Sequence, residues 1–282
     1  MKIWHPEIHR LAGGPLTFMT YFDEIAHSRG IEFVSNFYDA DVIFGLNNWI
    51  PVDTIRKARK MGIKYVHRVN GLFRPILKDI PNWKEMNEKM RPNYEEADIV
   101  IFQSKFSRDS YFKILGKCNS NYKIIYNGVD LEKFNPSKRS EDPNKFGMLG
   151  KELTYDQVKW RKKIKAVCGR LYSVVELLNY KDPVEAYKNI RVAILPDEQC
   201  TCPNQVLECM AMGIPTIVFK GCGSEELVPE IFAVEPRNRI RFLDRFWCKN
   251  KKYSIKARWH VKRNFDIKDK VEEYLQVMKQ CI

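Results

Sequence analysis

The feature that most constrains this chain is an alternation of short apolar runs with longer stretches of helical spacing. Runs such as 42–44, 98–102 and 216–219 are too short for buried helices and lack the polar alternation of a strand with one wet face. Strands buried on both faces belong to parallel sheets covered by helices. The chain therefore reads as an α/β protein.

In order, residues 2–5 read as a first strand. Gly13-Gly14-Pro15 opens a helix over 16–28 with Phe18, Phe22 and Ile25 as its apolar stripe. Strands are predicted at 31–34, 42–44, 65–69, 98–102 and 122–126, with helices at 54–60 and 105–115. Asn127-Gly128 is turn chemistry. Residues 131–144 carry Pro136 and Pro143 and read as a linker. The second half repeats the logic, with strands at 146–149, 191–196 and 216–219. A short helix over 203–212 has proline in its first turn and Gly213 at its end. Another helix is expected to begin at 221–224. The last helix, 266–278, places Val271, Tyr274, Leu275 and Met278 on one face. Residues 151–189 give no clear pattern.

With 282 residues, two domains are expected. No run reaches the ~18–20 apolar residues of a membrane span, and residues 1–14 lack a signal-peptide core; a cytoplasmic protein is expected. None of the eight cysteines forms a Cys-x-x-Cys pair, so reduced thiols are expected and structural zinc is not. The net charge of +13 calls for an anionic partner or serves solubility. Much of it lies between Arg237 and Arg263, interleaved with Phe242, Phe246, Trp247, Tyr253 and Trp259. That stretch is either a solvated face or a contact for nucleic acid or an acidic membrane surface, so peripheral membrane contact is one expectation. No recognition motif makes nucleic-acid binding specific. The sequence leaves the oligomeric state open, a homodimer included.

Glycine-bearing turns at Gly13-Gly14, Asn127-Gly128 and 221–223 let backbone approach a phosphate, and helix N-termini add a positive dipole end. The sharpest signal is the stretch 195–219: strand, polar loop, short helix with one acid, glycine, strand. Glu208 sits amid Val206, Leu207, Cys209 and Met210, costly company for a carboxylate without a partner. A ribose diol would be such a partner.

The run Leu207-Glu-Cys-Met-Ala-Met-Gly-Ile-Pro-Thr-Ile-Val218, followed by Gly221-Cys-Gly-Ser-Glu-Glu-Leu-Val228, resembles the donor-site signature of retaining glycosyltransferase family 4. In the first half Gly13-Gly14, His67-Arg68-Val-Asn70-Gly71, Phe102-Gln-Ser104 and 124–134 resemble that family's motifs in the right order, and the end of the chain resembles its terminal helix. The small size is that of members carried by large algal viruses.

The resemblance implies the GT-B architecture: two Rossmann-like domains with a cleft between them. Residues 1–130 would be the acceptor domain, joined by a C-terminal helix over 265–282, and 131–264 the donor domain. It implies retaining transfer of a hexose from a nucleotide-diphosphate sugar, GDP-mannose first and a UDP-hexose otherwise, to a glycan or glycoprotein acceptor. Glu208 matches the second acid of the family's Glu-x7-Glu motif, which binds the donor ribose. The first acid would fall at Cys200, a departure for which Asp197 and Glu198 are the nearest substitutes. Thr201, Cys202, Pro203 and Asn204 would line sugar and phosphate, with Gly13 and Gly14 approaching from the first half. Lys151, Lys159, Arg161 and Arg170 are candidates for the cations on the diphosphate.

The expected catalytic positions are His67, Arg68, Glu198 and Cys200. Inversion would need a base, for which His9 and His67 are available. No cofactor or metal is expected, since a helix N-terminus and a basic pair can stabilise a departing diphosphate. The alternatives are a GT-B nucleotide-sugar epimerase and a basic nucleic-acid-binding protein.

Overall fold

The computed structural model describes residues 1–7, 13–73, 82–118, 121–150, 155–169, 172–177, 181–235 and 241–282. They divide into two compact units. One comprises the described residues before Gly128 together with Ile267–Ile282, the other Gly128–Asp266.

The first unit runs β1 (Lys2–Trp4), α1 (Gly13–Ser28), β2 (Glu32–Phe33), β3 (Val42–Leu46), α2 (Val52–Lys60), β4 (Lys64–Arg68), α3 (Trp83–Glu88), α4 (Arg91–Glu95), β5 (Ile99–Phe102), α5 (Lys105–Leu115) and β6 (Asn121–Ile124). Its strands form a parallel sheet in the order β2-β1-β3-β4-β5-β6. All of β3 is buried, as a strand covered on both faces must be. Ser104 caps α5 by accepting from the Ser107 amide at 3.0 Å.

The second unit runs β7 (Lys145–Met148), α6 (Tyr155–Cys168), β8 (Ser173–Glu176), α7 (Pro183–Tyr187), β9 (Ile190–Leu195), α8 (Asn204–Ala211), β10 (Thr216–Phe219), β11 (Ala233–Val234), α9 (Arg241–Cys248) and α10 (Asn250–Asn264). Its parallel sheet has the order β11-β10-β9-β7-β8. Counted from its own first strand this is 2-1-3-4-5, the same winding as the first unit. In such sheets ligands bind outside the carboxyl ends of the strands where the winding reverses, here between β7 and β9.

The chain then returns to the first unit as α11 (Ile267–Lys279). Val271, Tyr274, Leu275 and Met278 are all fully buried. The Tyr274 ring lies 5.1 Å from that of Phe18 and 5.9 Å from that of Phe44, closing a core with α1 and β3. Burying each such side chain stabilises by roughly 1.5–3 kcal/mol.

Between Asp130 and β7 the chain is stapled to the second unit by arginines. Arg258 donates to the carbonyls of Leu131, Phe134 and Ala211, and Arg139 to those of Ile190 and Gly213. Gly213, at φ +71°, ends α8.

The helix expected to open at 221–224 is instead a turn followed by one 3-10 turn, Glu225–Leu227. The Cys222 thiol donates toward the Phe219 and Asp197 carbonyls and contacts Ser224 Oγ at 3.0 Å, which folds this segment as a knot. Residues 155–168, 241–248 and 250–264, given no helices from the sequence, are helical. Among the described residues, no helix is long and apolar enough to cross a membrane.

Candidate active site

The winding reversal of the second sheet is bordered by the ends of β7 and β9. After β7, Gly150 takes φ +87°, and a Cβ there would lie 2.9 Å from Leu195 Cδ1. Only glycine suits so tight a crossing. Its N–H donates to Gln205 Oε1 of α8 at 2.8 Å. The Arg161 guanidinium, 2% exposed, donates to the Leu149 and Gly150 carbonyls at 2.7 and 2.8 Å. Through that one nitrogen it fixes the turn.

After β9, the loop to α8 is pinned along its length. Asp197 Oδ1 accepts from the Gln199 amide at 2.8 Å. Trp160 Nε1 donates to Glu198 Oε1 at 2.6 Å, so this carboxylate is held by the indole of α6. The Cys200 carbonyl accepts from Gly223 N at 2.8 Å, and the Cys200 and Cys222 sulfurs lie 3.5 Å apart. Burial pushes the Cys200 thiol well above its ordinary value. Cys200 is thus a neutral thiol tied to its neighbour, neither an acid nor a ready nucleophile. Thr201 is half-buried and Cys202 buried. Pro203 takes the N-cap position of α8 with no side-chain cap, and Asn204 is the first helical residue. That terminus carries the positive end of the helix dipole.

Glu208 lies one turn into α8, half-buried. Its Oε2 accepts from Tyr187 Oη at 2.8 Å. Burial raises its carboxyl above 4.5, opposed by that hydrogen bond and by the charge of Lys133. Among the described residues Oε1 has no protein hydrogen bond. One oxygen is thus oriented by a buried tyrosine.

Of the cations expected near a diphosphate, Lys159 is exposed on α6, while Lys151 and Arg170 lie outside the described residues, as does His9.

In the first unit, Gly13 and Gly14 form the exposed first turn of α1. His67 and Arg68 end β4, and both are core side chains. The His67 imidazole is fully buried, with Nδ1 2.7 Å from Tyr65 Oη and Nε2 without a partner among the described residues. Burial lowers its pKa to about 3, which favours the neutral imidazole. Of the two histidines available as a base for inversion, His67 is the one among the described residues, and its imidazole is buried.

Arg68 is equally occupied. Its guanidinium lies 4.0 Å over the Phe18 ring and donates to Tyr274 Oη, Asn70 Oδ1 and Asn127 Oδ1 at 3.0, 2.5 and 2.8 Å. It binds the terminal helix to the sheet edge and is a positioning group. Asn70 also accepts from Gln103 Nε2 at 2.8 Å, and its amide donates to Asn47 Oδ1 at 2.8 Å. This polar network along the carboxyl edge of the first sheet includes Asn47, which sequence reasoning missed. Its signal is a non-glycine residue at φ +48°, visible only in the structure.

The chain's Asp-x-Asp, Asp39-Ala-Asp41, lies before β3 at the opposite, amino edge of that sheet, where Asp41 accepts from Lys2 N at 2.7 Å. Among the described residues no three His, Cys, Asp or Glu side chains converge on a metal position.

Residues 129–246 match the family of glycosyl transferases group 1. A comparison with curated proteins finds no match. Solved structures resemble nearly the whole chain. Sucrose-phosphate synthase from Thermosynechococcus elongatus does so with a TM-score of 0.76 at 13% identity, over 99% of this chain and 98% of that one. Anabaena HepE in complex with UDP and glucose gives 0.71 at 14% identity, over 99% and 100%. The trehalose-6-phosphate synthase OtsA gives 0.59 at 11% identity, over 96% and 79%. These likenesses establish the fold as that of GT-B glycosyltransferases, with two Rossmann-like domains. Residues 129–246 carry a glycosyltransferase domain.

Proposed function

We propose that the chain is a retaining hexosyltransferase of the family 4 type, holding a nucleoside diphosphate sugar at the carboxyl edge of β7 and β9. The observation that carries this reading is Glu208, half-buried and oriented by Tyr187, beside the winding reversal of the second sheet. A half-buried carboxylate with one oxygen unclaimed suits the hydroxyls of a ribose. The amino end of α8, with Thr201, Cys202, Pro203 and Asn204 before and at it, faces the growing negative charge of the departing diphosphate. Lys159, exposed on α6, is our candidate for a cation on that charge, with Lys151 and Arg170 as further candidates. Gly13 and Gly14 belong to the acceptor half in this reading, and the acceptor is a glycan or glycoprotein.

Cys200 does not replace the missing first acid. Glu198 keeps a carboxylate in the loop, but its hydrogen bond to Trp160 holds it as part of the wall. The family resemblance favours GDP-mannose as donor. HepE, crystallised with UDP and glucose, supports UDP-glucose as the second choice.

Calorimetric titration with GDP-mannose, UDP-glucose and UDP-N-acetylglucosamine, with and without EDTA, tests the reading. One donor is expected to bind, with its affinity unchanged by chelation. Binding of none, or a strict requirement for Mg²⁺ or Mn²⁺, overturns it.

A further inference from the structure

Helix α10 carries no acidic residue along its sequence, Asn-Lys-Lys-Tyr-Ser-Ile-Lys-Ala-Arg-Trp-His-Val-Lys-Arg-Asn. Its buried side is Tyr253, Ala257 and Val261, spaced by four, which seat it on the second unit. On the opposite side two large apolar residues stand out in water, Ile255 at 65% and Trp259 at 57% exposure. One turn apart, they form a stripe along the centre of the exposed face. At 100° per residue, Lys251 and Lys262 fall on one flank of that stripe, and Lys252, Lys256 and Arg263 on the other. Among the described residues none of these five is in an ion pair, and Arg263 lies 5.1 Å over the Trp259 ring.

We propose that this face of α10 docks the protein on an anionic lipid bilayer. The arrangement is a basic amphipathic helix: an apolar centre, a tryptophan suited to headgroup level, and long cationic side chains reaching outward on both flanks. Charge complementarity selects the occupant, since five cations without an ion-pair partner among the described residues seek a surface of many negative charges. A nucleic acid would satisfy the cations and could stack on Trp259, but it offers nothing to Ile255. A bilayer interface accepts both apolar residues and all the charges. The inference is independent of the donor site and is measured without nucleotide.

The test is co-sedimentation of the full chain with vesicles of phosphatidylcholine alone and of phosphatidylcholine with phosphatidylserine. Wild type is expected to partition onto the anionic vesicles, less so as salt rises, and weakly onto neutral ones. The double variant Ile255→Ser, Trp259→Ser is expected to lower the partition at least tenfold. Lys252→Glu with Lys256→Glu is expected to lower it by roughly fivefold or more per site. All four positions are exposed, so thermal unfolding should stay at the wild-type temperature and certify folding. Wild-type partition by the serine double variant overturns the proposal. So does tight binding of single-stranded RNA that the serine variant loses while neither protein binds vesicles.

Discussion

If Glu208 holds the donor ribose as proposed, it does so through the oxygen that Tyr187 leaves open. Removing the side chain deletes a charge-assisted acceptor, worth roughly 1.5–3 kcal/mol. On the proposed ribose contact, Glu208→Ala should weaken nucleotide-sugar binding about ten- to a hundredfold, and the free nucleoside diphosphate equally. Tyr187→Phe keeps the acid but frees its orientation, at a cost of roughly 0.5–1.5 kcal/mol. It also removes the hydrogen bond that opposes the burial-raised pKa of Glu208. The ionised form is the acceptor, so donor affinity should fall as pH drops through a value above 4.5, and that limb should move to higher pH in Tyr187→Phe. The sign for folding is opposite: a raised carboxyl pKa means the native state binds the proton more tightly, so stability declines as pH rises from 4.5 through the folded value. Calorimetry across pH on the three proteins measures this, and a Tyr187→Phe profile superimposable on wild type would remove the tyrosine from the account. The acid was legible in the sequence, as a carboxylate among apolar neighbours. Its tyrosine was not, because 21 residues separate them and only the folding of α7 against α8 joins them. Likewise the sequence showed an acid missing at Cys200 but not the sulfur of Cys222 beside it.

At the scale of elements, α11 shows how a local pattern and a long-range partner combine. The spacing of Val271, Tyr274, Leu275 and Met278 announced a helix with one apolar face, and that face is buried. The hydrogen bond of Tyr274 to Arg68, 206 residues away, could not be announced. Tyr274→Phe leaves the buried Arg68 Nε without its acceptor and should cost ~1–3 kcal/mol. Leu275→Ala removes methyl groups from a closed core and should cost ~2–5 kcal/mol. Urea unfolding of the first unit's signal measures both, and losses below about 0.5 kcal/mol in both would mean that the helix is not part of that core. The strands were the most readable elements, since β3 and β10 are buried throughout and, Thr216 apart, without polar side chains. Helix α6 was unreadable for the converse reason. Arg161, a polar residue by any pattern, is among its most buried side chains because it serves the β7 turn. The turn at 221–224 misled because its glycines and following acids mimic a helix start, while Cys222 spends its thiol on carbonyls around it.

At the scale of the molecule, two sheets share one winding order, and the chain visits them unequally. The alternation of strand and helix announced two α/β halves; the strand orders depend on which crossovers reverse, which no local run encodes. The described residues of the second unit all fall within Gly128–Asp266, whereas the first needs α11 to return after it. Every protein contact given above for Glu208, for the loop 196–204 and for Gly150 comes from within that stretch. If the donor site is complete there, a chain of residues 128–266 should fold with a cooperative transition and bind the nucleoside diphosphate within about tenfold of the whole protein. A chain of residues 1–266 should keep that binding but lose the first unit's transition, because Phe18, Phe22 and Phe44 lose Tyr274 and the Arg68 clamp loses one of its acceptors. Calorimetry and unfolding curves on both pieces decide. A folded second unit blind to nucleotide would mean that the first unit supplies contacts the ribose and diphosphate cannot do without.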